Sequence, residues 1–155
     1  THNASVGHFD DPLIEMTIVV FMILAGTNFA LLYVLVLPKL GLKEKFFRFF
    51  GDIEFRVYIA IILGVTAMVC LFGLLLSDNF GDLSSAIRYG LFQVVSILTT
   101  TGYGTNNFDG WNSFGRGVLF LLMFVGGCAG STTCGIKVFR FQVLHVSGRC
   151  AQILR

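Results

Sequence analysis

Charge is what this 155-residue sequence has least of. Asp, Glu, Lys and Arg make up 13% of it, about half the share of an ordinary soluble domain. The few charges nearly cancel, to a net +2, which excludes the basic footprint of a nucleic-acid binder. Proline is almost absent: only Pro12 and Pro38 occur. Cysteine is sparse too, at positions 70, 128, 134 and 150. Cys70 lies inside a long apolar run and no His or Asp accompanies the others at ligand spacing. The expectation is therefore buried free thiols, neither a disulfide scaffold nor a metal centre. Disorder is excluded by the 17 Phe. No nucleophile–base pair, carboxylate pair or phosphate loop appears, so no enzyme is expected and no cofactor.

What is present is apolar. The hydrophobic class holds 55% before any of the 18 Gly is counted, whereas soluble domains reach about 45–50% with glycine included. A chain this short has too little interior to hide that much apolar surface. An all-α integral membrane protein follows, or a piece of one. The opening Thr-His-Asn, without an initiator Met or signal-peptide pattern, adds the expectation of a longer parent.

Pro12 and Pro38 bracket 25 residues, roughly 37 Å as a helix and enough to cross a hydrocarbon core. Residues 16–37 carry no charge, so one spanning helix is predicted there. From Lys39 to Arg56 bases alternate with Phe46, Phe47, Phe49 and Phe50, which predicts an amphipathic segment at the membrane interface. Val57–Leu76 is a second uncharged span. Ser84–Leu98 has helix-forming content but only 15 residues and an internal Arg88. It is too short to cross, and predicts a helix that enters the membrane and stops partway.

Placing the 39–56 loop and the C-terminal end inside puts nine of the eleven Lys/Arg in the cytoplasm, as the positive-inside rule requires. The N-terminus is then outside, and residues 84–104 enter and leave on the outer side.

Thr100-Thr101-Gly102-Tyr103-Gly104 follows the short helix. Non-helical backbone at membrane depth survives only where it is buried in protein or lines a wet cavity. Glycines there let neighbouring carbonyls aim one way, and such carbonyls can replace a monovalent cation's water shell. The alternative is a Gly/Thr turn joining two helices. A second Gly-rich run, residues 126–135, interrupts the third apolar segment. Gly126 and Gly130 form a GxxxG pair that suits helix packing. A broken helix forming an intramembrane loop fits the residues equally well.

Thr-Thr-Gly-Tyr-Gly differs from the potassium-channel filter Thr-Val-Gly-Tyr-Gly only at Thr101. With Gly126-Gly127-Cys128-Ala129-Gly130-Ser131-Thr132 and Gly135-Ile136-Lys137-Val138, the chain resembles the TrkH/TrkG branch of the Trk/Ktr/HKT potassium transporters. Ala129, where Ktr-type members usually carry Pro, favours the Trk side. The resemblance implies a helix–pore-loop–helix repeat over residues 57–140, with a pore helix at 84–98, a filter at 99–105 and a broken third helix at 114–140. Residues 1–38 would be the exit of a preceding filter and its last helix, 39–56 a cytoplasmic interfacial loop, and 141–155 a cytoplasmic connection. It implies K+ bound through the backbone of Thr100, Thr101, Gly102 and Tyr103. It also implies a gate built from Gly126, Gly127, Gly130, Ser131, Thr132, Thr133 and Gly135. Thr133-Cys134 stands where relatives often have glycines, which would stiffen that loop. Implied partners are the remaining repeats of the same parent, a second copy in a homodimer, a cytosolic nucleotide-binding regulatory subunit and the lipid bilayer of the cell (inner) membrane.

Single residues read more simply. Arg88 is expected to reach outward or pair with Asp82, Lys137 and Arg140 to anchor the inner interface, and Trp111 the outer one. His2, His8 and His145 are expected in solvent. Potassium uptake through a channel-like pore is the leading function. A non-conducting structural membrane module and a self-tetramerising two-helix cation channel subunit are the alternatives.

Overall fold

A computed structural model of the chain describes residues 5–9, 11–36, 41–76, 83–105, 113–140 and 143. Asp82, Trp111, His2, His145, Cys150 and Pro38, like the segments 77–82 and 106–112, lie outside the described residues. After a short 3-10 turn at Ser5–His8, the described chain is all helical, apart from loops and one isolated bridge between Val125 and Ile136.

The first apolar run departs from expectation. Asp11 caps its start, accepting from the Leu13 N–H at 2.9 Å with Pro12 at the first helical position. Instead of one continuous helix, the run forms α1 (Pro12–Ala25) and α2 (Phe29–Val36), bent by 106°, which together are long and apolar enough for one broken span. Two polar side chains make the break. The Thr27 hydroxyl folds back onto the Ile23 carbonyl at 2.9 Å. Asn28 Oδ1 accepts from the Ala30 N–H at 2.9 Å and caps a new helix.

α3 (Leu42–Gly51) is the amphipathic segment. Phe49 is buried against Phe55, ring centroids 4.5 Å apart, while Phe47 and Phe50 stand exposed. The Lys45 ammonium reaches the Leu35 carbonyl at 2.8 Å, where the last turn of α2 lacks donors and carries partial negative charge.

α4 (Ile53–Leu76) has 24 residues and is the one described helix that alone is long and apolar enough to span a membrane. It begins four residues before the predicted Val57. Asp52 Oδ1 accepts from the Phe55 N–H at 2.9 Å, so Glu54 and Arg56 fall inside its first turn. Leu63 and Leu71 face outward, as lipid-facing residues do.

α5 (Leu83–Leu98) is short yet sits at the centre. Phe92, Val94, Val95 and Leu98 are fully buried. The Cys70 thiol of α4 donates to the Ala86 carbonyl at 3.2 Å, and Gly90 lets that sulfur lie close. α6 (Ser113–Leu122) packs Leu119 and Leu122 inward and Phe114 against Phe72. The chain leaves helical geometry after Leu122.

Candidate functional site

The last turn of α5 is laced with hydroxyls that hold the segment following it. The Ser96 carbonyl accepts from the Thr101 N–H at 2.9 Å, and the Ser96 hydroxyl donates to the Tyr103 carbonyl at 2.6 Å. Thr99 Oγ1 lies 2.8 Å from both the Val95 carbonyl and Thr101 Oγ1. Thr100 has φ 56° and Gly102 φ 78°, with Thr101 between them outside the positive region. For Thr100 a left-handed backbone costs about 1–2 kcal/mol, held in place by these bonds.

Positive φ at alternate positions lets successive carbonyls be aimed toward one side. Among the described residues, nothing donates to the carbonyls of Thr100, Thr101 or Gly102. All three residues are exposed. Partially negative oxygens in a row, at the negative end of a helix, suit a cation without a carboxylate. The fourth carbonyl of the expected set, that of Tyr103, accepts from the Ser96 hydroxyl. At the far end, the Gly104 carbonyl accepts from the Gly7 N–H at 3.2 Å, beside Ser5.

The second Gly-rich run closes on itself. The Gly126 N–H donates to the Ile136 carbonyl and the Ile136 N–H to the Phe124 carbonyl, both at 2.9 Å. This neck needs Gly126: a Cβ there would collide with the Cys134 carbonyl. Gly130 and Gly135 take φ of 69° and 88° where the chain reverses. Inside the loop Thr133 Oγ1 accepts from the Gly127 N–H at 2.9 Å and contacts Ser131 Oγ at 2.9 Å. The residues are no continuous helix, so the GxxxG packing reading does not describe them.

Three neighbours hold this loop. The break in the first apolar run offers the Gly26 carbonyl to the Cys128 N–H at 3.0 Å and the Ala25 carbonyl to the Thr132 hydroxyl at 3.1 Å. From α4, Glu54 accepts from the Ala129 N–H at 2.5 Å. Lys137 turns inward to Thr133, its ammonium on the carbonyl and, at 3.0 Å, on Oγ1. Counting the Ser131 hydroxyl, three oxygens of the loop surround the Lys137 ammonium, a contact beyond the simple interface anchor expected of it. Thr100 Oγ1 accepts from the Cys134 N–H at 3.2 Å, which joins the two loops.

Other expectations also change. Arg88 pairs with Glu15; Asp82, the partner expected for it, lies outside the described residues. Cys70 and Cys128 are buried free thiols, but Cys134 is exposed, because the loop turns it toward the open side. Glu15, Glu54 and Asn28 escaped the sequence reading. Glu15 and Asn28 are polar residues within the first apolar run, which was the available signal, whereas Glu54 stands among the charges Asp52 and Arg56 and carries no such signal.

The sequence model of the TrkH family, described as a cation transport protein, matches residues 1–152. Over 148 residues the chain is 35% identical to the Trk system potassium uptake protein TrkH of Salmonella typhimurium, covering 96% of this chain and 29% of that protein. It is 34% identical over 144 residues to the Trk system potassium uptake protein TrkG of Escherichia coli K12, covering 93% and 28%. The crystal structure of the potassium transporter TrkH from Vibrio parahaemolyticus superposes with a TM-score of 0.84 at 34% identity, over 97% of this chain and 31% of that one. The chain thus spans less than a third of the length of these relatives. A match that runs through both loops and every described helix, in sequence and in three dimensions, leaves one conclusion: this chain belongs to the TrkH family of cation transport proteins, membrane transporters and not enzymes.

Proposed function

We propose that the chain supplies one wall of a potassium-conducting pore, with the carbonyls of Thr100, Thr101 and Gly102 facing the ion. One observation carries this reading. Three successive carbonyls, in a segment that alternates in backbone hand, stand without a donor among the described residues, directly beyond a short buried helix. An unpaired carbonyl at membrane depth is costly unless something replaces the missing donor. A dehydrated K+ does so. The Tyr103 carbonyl, fourth of the set, accepts from Ser96, which steadies the segment.

One strand cannot encircle an ion. The open face of 100–103 is where the remaining repeats of the parent protein would close the ring. The contact of Gly104 with Ser5–Gly7 fits the exit of a neighbouring strand. Residues 126–135 act as the gate, lying against Thr100 and held by bonds that a helix movement can break. In this reading the α3 loop is cytoplasmic and the N-termini of α1 and α5 are external, in the inner membrane. A homodimer and a cytosolic nucleotide-binding regulatory subunit complete the assembly.

The test is K+ and Na+ uptake by the full-length parent, with and without Gly102→Ser. Apart from its chain neighbours, no heavy atom of the described residues lies within 4 Å of a Cβ at position 102, so the substitution acts through its positive φ and not through a clash. Reduced preference for K+ supports the filter. Unchanged preference removes Gly102 from it.

A further inference from the structure

A buried ion pair lies behind the conducting segment, outside every role assigned so far. Glu15, in the first turn of α1, is 1% exposed. Arg88, in the second turn of α5, meets it in a two-pronged contact: Nε to Oε2 at 2.5 Å and Nη2 to Oε1 at 2.9 Å. The guanidinium also lies over the Tyr89 ring, 5.2 Å from its centroid. A fork engaging both carboxylate oxygens fixes orientation as well as distance, which a lysine cannot do.

The two helices belong to different parts of the site. α5 carries Ser96, whose carbonyl and hydroxyl hold Thr101 and Tyr103. α1 follows the Ser5–Gly7 turn that bonds Gly104. Any rotation or slide of α5 against α1 would therefore change the spacing of the conducting carbonyls. The pair lies two turns from Ser96 on a rigid helix and sits where such motion would begin.

We infer that Glu15 and Arg88 are a positioning pair that sets ion selectivity by fixing α5 against the preceding helix. This rests on the reading of 100–102 as the filter. Hydrophobic packing alone resists separation of the helices but resists sliding poorly.

The experiment measures K+ and Na+ uptake by the full-length parent in potassium-uptake-deficient cells, normalised to membrane abundance. The variants are Arg88→Lys, Glu15→Gln, the exchange Glu15→Arg with Arg88→Glu, and Gly102→Ser. Arg88→Lys keeps the charge and loses the fork, so the K+/Na+ uptake ratio should fall roughly tenfold, with total flux kept or raised. Glu15→Gln should do the same. The exchange should recover much of the parent ratio, which a purely structural defect would not. If a single variant fails to accumulate, recovery of both abundance and ratio in the exchange supports the pair. Parental ratios in Arg88→Lys and Glu15→Gln at equal abundance overturn it, as does an exchange no better than either single. Gly102→Ser separates the failures: if it alone shifts the ratio, the filter stands and the pairing role falls.

Discussion

The hydroxyl of Thr100 accepts the backbone N–H of Cys134 at 3.2 Å, so the carbonyl segment after α5 and the Gly-rich loop after α6 touch directly. Position 134 is thereby placed next to the open face of residues 100–102 without belonging to it. The neighbouring thiols, Cys70 and Cys128, are buried.

That difference in exposure makes Cys134 addressable. A bulky thiol reagent should inhibit K+ uptake by the full-length parent, and Cys134→Ser should abolish the inhibition while leaving basal uptake intact. Uptake assays with and without the reagent decide it. Inhibition that persists in Cys134→Ser would put the obstruction elsewhere.

Gly126 and Gly117 offer a paired comparison. Gly126→Ala drives a methyl into the Cys134 carbonyl at the loop's neck, whereas nothing lies within 4 Å of a Cβ at Gly117 in α6. The first should destabilise the closed loop by about 1–3 kcal/mol. The second should be neutral or stabilising by up to about 1 kcal/mol, through helix propensity. Thermal unfolding in detergent, followed beside K+ flux, should show lower stability and higher flux for Gly126→Ala only.

Glu54 and Lys137 restrain the loop with charge-assisted bonds, worth about 1.5–3 kcal/mol each. Glu54→Ala or Lys137→Met should shift a two-state loop toward its open form by roughly tenfold or more. Flux should rise in both variants with the K+/Na+ ratio unchanged, because residues 100–102 are untouched. Flux measurements with both ions check both halves of that statement.

The amphipathic α3 supplies the topology test. Lys43 and Arg48 are exposed, so Lys43→Cys or Arg48→Cys in a cysteine-free background should react with an impermeant thiol reagent only after the cells are opened. Labelling of intact cells would reverse the orientation.

Much of this architecture is legible without coordinates. Val57–Leu76 and Ser84–Leu98 declare themselves through length and the absence or presence of a charge, since the bilayer sets a minimum span. The carbonyl segment is legible because Thr and Gly at membrane depth have few uses. The break at Thr27–Asn28 is not. Two polar residues in a long apolar run fit a straight helix as well as a bent one, and the donors that stabilise the bend come from residues 128–132. Glu15–Arg88 was hidden for the same reason: the partners are 73 positions apart, and only packing brings them together. Glu54 is illegible for another reason: with Asp52 and Arg56 it continues the charge pattern of the preceding loop.

The bend between α1 and α2 also carries a consequence for assembly. The carbonyls of Ala25 and Gly26 take their donors from a segment about a hundred residues further along the chain. Thr27 and Asn28 turn the backbone, and the later loop supplies the hydrogen bonds that the turned backbone gives up. Damage to residues 128–132 therefore reaches back to a corner far earlier in the sequence.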